Sequence, residues 1–185
     1  MRADRTLSEI LFAKETELRP LRYEVAVVFD SSGTILLEKQ AEPDAPYEIT
    51  FSDAKIAAMK MQSGVVFTHN HPQGWNYAAG NPRHGGNSFS PNDIELACKA
   101  EFAEIRAVSP AYRFSMRPLA DRFTENDWQA IWLVYSVEVG NVQREFGAAV
   151  IQGRLSREEY IAEVLHTGWA RAAFLLELRY SRNEE

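Results

Sequence analysis

The chain has 185 residues, 45% of them apolar, and a net charge of −6, which allows one domain with a full core, or one domain with an appendage. The single cysteine, Cys98, excludes an internal disulfide framework and fits a reducing compartment. The acidic balance weighs against a nucleic-acid binder, which would carry a basic face, and no apolar run reaches the roughly 18 residues of a membrane span.

The first stretch, Met1 to Leu18, carries Glu9, Glu15 and Glu17 and lacks the apolar core of a signal segment, so the protein reads as cytoplasmic. Thr6 and Glu9 have capping-box spacing, Leu7, Ile10 and Leu11 follow at helical spacing, and Pro20 lies past the end: a short amphipathic helix opens the chain. Tyr23 to Phe29 is β-branched and aromatic and reads as a strand. Asp30 to Gly33 is a turn, and Thr34 to Gln40 pairs back as a hairpin. Glu48 to Phe51 reads as a third short strand. Ser52 or Asp53 then caps a helix to about Met61, and Val65 to Thr68 is a buried strand by its continuous apolar run.

The segment from Gln73 to Phe89 is a long loop with Gly74, Gly80, Gly85 and Gly86 beside Trp75, Tyr77 and His84. Loops of such length are usually functional or disordered. Ser90, Pro91 and Asp93 make a strong helix start, with the helix running to about Phe102. Ile105 to Val108 and Tyr112 to Met116 are further strands. Thr124 opens a long helix to about Gln152, with Trp128, Trp132, Tyr135, Val139, Val142 and Phe146 on a heptad-like seam. Ser156 and Glu159 cap a second helix whose stripe is Ile161, Leu165, Trp169, Ala172 and Leu176. These two helices read as a hairpin appendage of residues 123–185 docked on an α/β core of residues 1–122. The seam reads as internal packing first, and leaves room for a homodimer through the C-terminal helices.

His69 and His71 sit two apart at the end of a buried strand, so both imidazoles point the same way. A catalytic zinc site needs three protein ligands and an open position for water. Asp93, in the first turn of the next helix, is the best-placed third ligand, and its carboxylate faces the positive end of the helix dipole. Metal-bound water needs a base. Glu24, an acid at the start of a strand otherwise built for burial, is the candidate, with Glu38 and Glu48 as alternatives. Ser90 can donate a hydrogen bond to the oxyanion formed during attack. Trp75 and Tyr77 can hold a substrate peptide or pack the loop. His84 reads as a loop histidine first and as an additional metal or substrate contact second, His166 as structural, and Cys98 as a small buried hydrophobe.

The glutamate, the His-x-His-Pro of His69 to Pro72 and the Ser-x-x-Asp of Ser90 to Asp93 resemble the JAB/JAMM (MPN) metalloprotease signature. The run from His69 to Gly74 is closest to its RadC-like and bacterial and phage branches. The resemblance covers about Thr6 to Pro118 and implies an α/β (α+β) fold: a mixed sheet flanked by helices, here with a C-terminal helical hairpin. It also implies a zinc metallopeptidase or isopeptidase, deubiquitinase-like, often acting at ubiquitin-like tails. Glu24 would be the general base, His69, His71 and Asp93 the zinc ligands, and Ser90 the stabiliser of the tetrahedral intermediate. The family places far fewer residues between the second histidine and the serine than Pro72 to Phe89 here. The excess reads as an inserted flap with glycine hinges, whose removal should alter substrate affinity more than zinc affinity. Two other functions remain in view: a non-catalytic binding module of the same fold, and a RadC-like role in DNA metabolism.

Overall fold

The computed structural model describes residues 5–184. Helix α1, Leu7–Leu18, starts at a capping box: the Thr6 amide donates to Glu9 Oε2 at 2.7 Å, and the Glu9 amide donates to Thr6 Oγ1 at 3.3 Å. Strand β1, Val25–Phe29, is buried along its whole length. Val25, Val27 and Phe29 pack with Leu11 and Leu18 of α1, while Ala26 and Val28 face the larger core on the other side. A strand covered on both faces needs apolar residues at every position, which is why it reads as a continuous run.

β1 turns back into β2, Ile35–Gln40, an edge strand. Asp30 Oδ1 accepts from the amides of Ser32 (2.8 Å) and Thr34 (2.9 Å), and Gly33 takes φ +87°, a left-handed conformation that suits glycine. Helix α2, Asp53–Lys60, leads to β3, Val66–Asn70, antiparallel to β1. Helix α3, Pro91–Lys99, connects β3 to the parallel strand β4, Glu104–Val108, and β5, Tyr112–Arg117, returns antiparallel.

The C-terminal third forms α4, Asp127–Ile151, and α5, Arg157–Leu175, followed by β6, Arg179–Glu184. The six strands make one mixed sheet in the order β2-β1-β3-β4-β5-β6, an α+β architecture with the expected helical hairpin. The hairpin seam faces inward at Tyr135 and Val142, while Trp132 is exposed: the rings of Tyr135 and Trp169 stack at 3.8 Å, and both belong to the main core with Phe89, Phe114 and Ile94. A Cβ on Gly168 would sit 3.3 Å from Val139 Cβ, so the two helices touch closely there. No helix among the described residues is long and apolar enough to cross a membrane.

Three elements differ from the sequence reading. Glu48 to Phe51 is not a strand. Its alternating apolar residues, Ile49 and Phe51, pack against the core edge instead of entering a ladder, with the Phe51 ring 6.1 Å from Phe67. α4 starts at Asp127, not beside Thr124, because the Asp127 carboxylate accepts the Thr124 amide (2.7 Å) across an extra turn. β6 was not anticipated: its sequence is polar, yet it pairs with β5 from Tyr112↔Glu184 to Arg117↔Arg179.

Candidate metal centre

Alternation along β3 divides its side chains. Thr68 and Asn70 point toward α1, whereas Phe67 and His69 point toward α3. β1 pairs with β3 through Ala26↔His69. Extending that antiparallel register by two places brings Glu24 level with His71, on the same face as both histidines.

Three side chains converge there. His69 Nε2 and His71 Nε2 lie 2.8 Å apart. Asp93 Oδ1 is 3.3 Å from His69 Nε2, and Asp93 Oδ2 is 3.7 Å from His71 Nε2. His69 is fully buried and His71 nearly so. One ligand atom from each residue falls within 4.8 Å of the others, a group that can hold a metal ion.

The hydrogen bonds outside this cluster fix both tautomers. His69 Nδ1 meets the Arg106 carbonyl at 3.0 Å, and His71 Nδ1 meets the Asn87 carbonyl at 2.9 Å. A carbonyl only accepts, so each Nδ1 carries a proton, and a ring that holds no second proton presents its Nε2 lone pair inward. Two lone pairs and a carboxylate facing one another in a buried site repel unless a proton or a cation lies between them. Backbone carbonyls behind both histidines are the usual outer support of metal-binding imidazoles.

The local electrostatics agree. Burial works against a charged His71, but the hydrogen bond and charge of Asp93, the Asn87 carbonyl and the charge of Glu24 together raise its pKa. Burial pushes the Asp93 carboxyl up, and the two histidines outweigh it through charge and hydrogen bonds, holding it well below the usual range. Desolvation raises the Glu24 carboxyl; the histidines pull it down, while Asp93 and Glu48 push it up.

Asp93 is held by the start of α3. Ser90 Oγ accepts the Asp93 amide at 3.3 Å, and the Ser90 amide donates to Asp93 Oδ2 at 2.6 Å, a reciprocal capping box. The cap and the ligand are therefore one device, and the Ser90 hydroxyl proton is still available to a further acceptor. Beside Asp93 opens a cleft of about 210 Å³ whose walls include Glu24, Ile49, Phe51, Phe67 and Leu96. Of the alternative acids, Glu38 pairs with Lys14 at 3.1 Å on the sheet edge, whereas Glu48 is near enough to influence Glu24.

The long loop is ordered by two 3-10 turns, Pro72–Asn76 and Pro82–Gly85. Trp75 Nε1 donates to the Arg19 carbonyl at 2.8 Å, with the Arg22 guanidinium 4.7 Å from its ring centre. The Arg83 guanidinium lies 4.2 Å from the Tyr77 ring centre, and His84 Nδ1 bonds the Tyr77 carbonyl at 3.0 Å. Two of its glycines mark close contacts and not hinges: a Cβ on Gly74 would lie 2.5 Å from the His84 carbonyl oxygen, and one on Gly85 2.7 Å from Tyr112. Through the Asn87 carbonyl the loop also belongs to the candidate metal site, where the sequence pointed only to a cover.

Sequence reasoning missed Asn70. Its side chain accepts the Val25 amide at 2.7 Å and donates to the Tyr23 carbonyl at 2.9 Å, clamping the residues on either side of Glu24. Its place between two histidines at a strand end was the available signal. The Arg106 and Asn87 carbonyls left no signal, because every residue has one. Compared with known proteins, the chain matches no family model, no curated protein and no solved structure.

Proposed function

We propose that the chain is a zinc-dependent metalloprotease of JAB/JAMM type that cleaves peptide or isopeptide bonds. The observation that carries this reading is the convergence of His69, His71 and Asp93 beside a cleft that Glu24 also lines. Zinc bound to imidazole nitrogen at about 2.0–2.1 Å in tetrahedral geometry separates two ligand atoms by roughly 3.3 Å. The 3.3 Å from His69 to Asp93 fits that spacing, and the 2.8 Å between the histidines would need to open slightly. Two imidazoles and one carboxylate leave one coordination position free, the pattern of a catalytic site and not of a closed structural one.

A bound zinc ion supplies Lewis acidity and lowers the pKa of water. Glu24 takes the proton of the attacking water and delivers it to the leaving amine. A carboxyl raised by burial is suited to both transfers, since its pKa lies nearer the working pH. Ser90, its Oγ already positioned by the Asp93 amide, turns its hydroxyl proton toward the developing oxyanion. Ile49, Phe51 and Leu96 give the cleft apolar walls suited to an extended polypeptide tail, such as that of a ubiquitin-like protein.

The test is zinc per chain by elemental analysis on tag-free protein, for the wild type and His71→Ala. The expected result is close to one zinc in the wild type and almost none in the variant. Zinc-loaded wild type should then cleave peptide or isopeptide substrates, and Glu24→Gln should keep its zinc and lose turnover. No zinc in the wild type after reconstitution would overturn the proposal.

A further inference from the structure

Residues 87–90 join the last 3-10 turn to α3, and each makes a specific bond to another part of the chain. The Asn87 carbonyl holds His71 Nδ1 at 2.9 Å, and the Ser90 amide holds Asp93 Oδ2 at 2.6 Å. The two residues between them are held from the other side. Ser88 Oγ bonds Tyr180 Oη at 2.7 Å, and Trp169 Nε1 donates to the Phe89 carbonyl at 2.8 Å. The outer pair of this short segment touches the ligands, and the inner pair hangs from α5 and β6.

The anchors are themselves fixed. Trp169 is fully buried and stacked on Tyr135. Tyr180 Oη bonds His166 Nδ1 at 2.8 Å, so Ser88, Tyr180 and His166 form a chain of three polar groups in a partly buried space. Burial and then the Arg182 charge lower the His166 pKa to about 4, so the ring is neutral near pH 7 and Nδ1 can accept the Tyr180 proton. Ser88 then donates to Tyr180, which closes the chain without an unpaired group.

We propose that Tyr180 and Trp169 are positioning residues of the metal centre: through Ser88 and Phe89 they hold the Asn87 carbonyl where it sets the His71 tautomer. The C-terminal helices and the strand after them thus act as a buttress for the ligand-bearing segment. The proposal rests on the metal reading, but its own core is a statement about His71 that can be measured without metal.

The experiment compares wild type, Tyr180→Phe, Ser88→Ala, the double variant and Ser115→Ala. The last removes a hydroxyl bond of 2.8 Å between Ser115 of β5 and Ser181 of β6, made from the position next to Tyr180 but on the opposite face of the sheet, away from residues 87–90. Two quantities are read: the tautomer of His71 from its ring nitrogen shifts in metal-free protein, at a pH high enough that the ring is neutral, and zinc affinity by competition with a chromophoric chelator. Wild type and Ser115→Ala should show a His71 proton on Nδ1. Tyr180→Phe and Ser88→Ala should each mix the tautomers and weaken zinc by about 3- to 10-fold, at or below the roughly 10-fold lower limit seen for partners that bond a ligand directly, because these two act one step further out. The double variant should be no worse than Tyr180→Phe, which already lacks the Ser88–Tyr180 bond and loses the His166 bond as well.

An unchanged His71 tautomer in Tyr180→Phe and Ser88→Ala overturns the proposal, as does an equal shift in Ser115→Ala, which would indicate general loosening. If the wild type bound no zinc, the metal reading would fail, while the tautomer comparison would still decide the positioning role.

Discussion

The Arg106 backbone carbonyl accepts His69 Nδ1 on one face of the sheet, while the Arg106 guanidinium closes on Glu15 on the other, with Nη2 and Oε2 3.1 Å apart. Glu15 is fully buried in α1 and also meets Arg113 at 3.2 Å and Thr68 at 3.3 Å. One carboxylate thus ties the first helix to the strand that supports His69, a candidate metal ligand. Removing it leaves two arginines that have lost a shared buried partner. Glu15→Ala should destabilise the fold by roughly 3–5 kcal/mol, the cost typical of breaking a buried charge network from one side. Urea unfolding checks this, and a loss under 1 kcal/mol would show the arginines to be well solvated without Glu15.

Glu24 should carry a stability cost that accompanies its proposed role as a base. Its carboxyl is raised in the folded state, chiefly by burial. Ionising it therefore costs more in the folded state, which bears the desolvation, than in the unfolded one. That cost is present above the folded pKa and disappears as pH falls below the ordinary glutamate value of 4.5. Glu24→Gln should therefore raise the urea midpoint of metal-free protein at pH 7 and lose this advantage near pH 4. The same change should lower turnover by at least about 100-fold, in line with loss of a general base. A variant less stable at pH 7 would indicate that the ionised carboxylate is well compensated.

Zinc binding should compete with protons at a higher pH than an ordinary histidine would dictate. The raised His71 pKa means that its ring holds a proton above the usual value of 6.5, stabilised by Asp93 after burial is overcome. In metal-free protein this gives stability that is complete below the unfolded value and lost as pH rises through the folded one. Zinc must displace that proton, so affinity should begin to fall above pH 6.5 as the solution is acidified. Titration of zinc affinity from pH 8 to pH 5 checks the window. A decline that starts only below pH 6 would show that His71 is not held protonated.

The grouping of the candidate ligands was legible because chemistry and local structure coincide in it. His69 and His71 share a face at period two, and Asp93 sits in a first turn announced by Ser90 and Pro91. The apolar runs of β1 and β3 were legible for the same reason, since burial on two faces admits few other residues. Less was visible where the backbone does the work. The carbonyls of Arg106 and Asn87 decide both tautomers, yet nothing in those residue types announces it. Ile49 and Phe51 have the alternation of a strand because packing on a core edge asks for the same spacing. β6 lacks that alternation because it is a polar edge strand, recruited by the exposed side of β5.

The loop above the site offers a contrast between two glycines. Gly86 has φ +82°, and a Cβ there would lie 2.6 Å from Ser109 Cβ. Ser109 in turn donates to the Gly85 carbonyl at 2.6 Å, so neither partner can withdraw without breaking that bond. Gly80 has nothing within 4 Å of its added Cβ. Gly86→Ala should therefore cost about 1–3 kcal/mol through backbone strain and the steric clash, and should weaken zinc binding, because Asn87 is the next residue. Gly80→Ala should be neutral, or stabilising by a few tenths of a kcal/mol through a less flexible unfolded chain. Paired urea curves and zinc titrations separate the two positions. Equal behaviour at Gly80 and Gly86 would mean that the loop yields freely, and the Asn87 carbonyl could then not be what holds His71 in place.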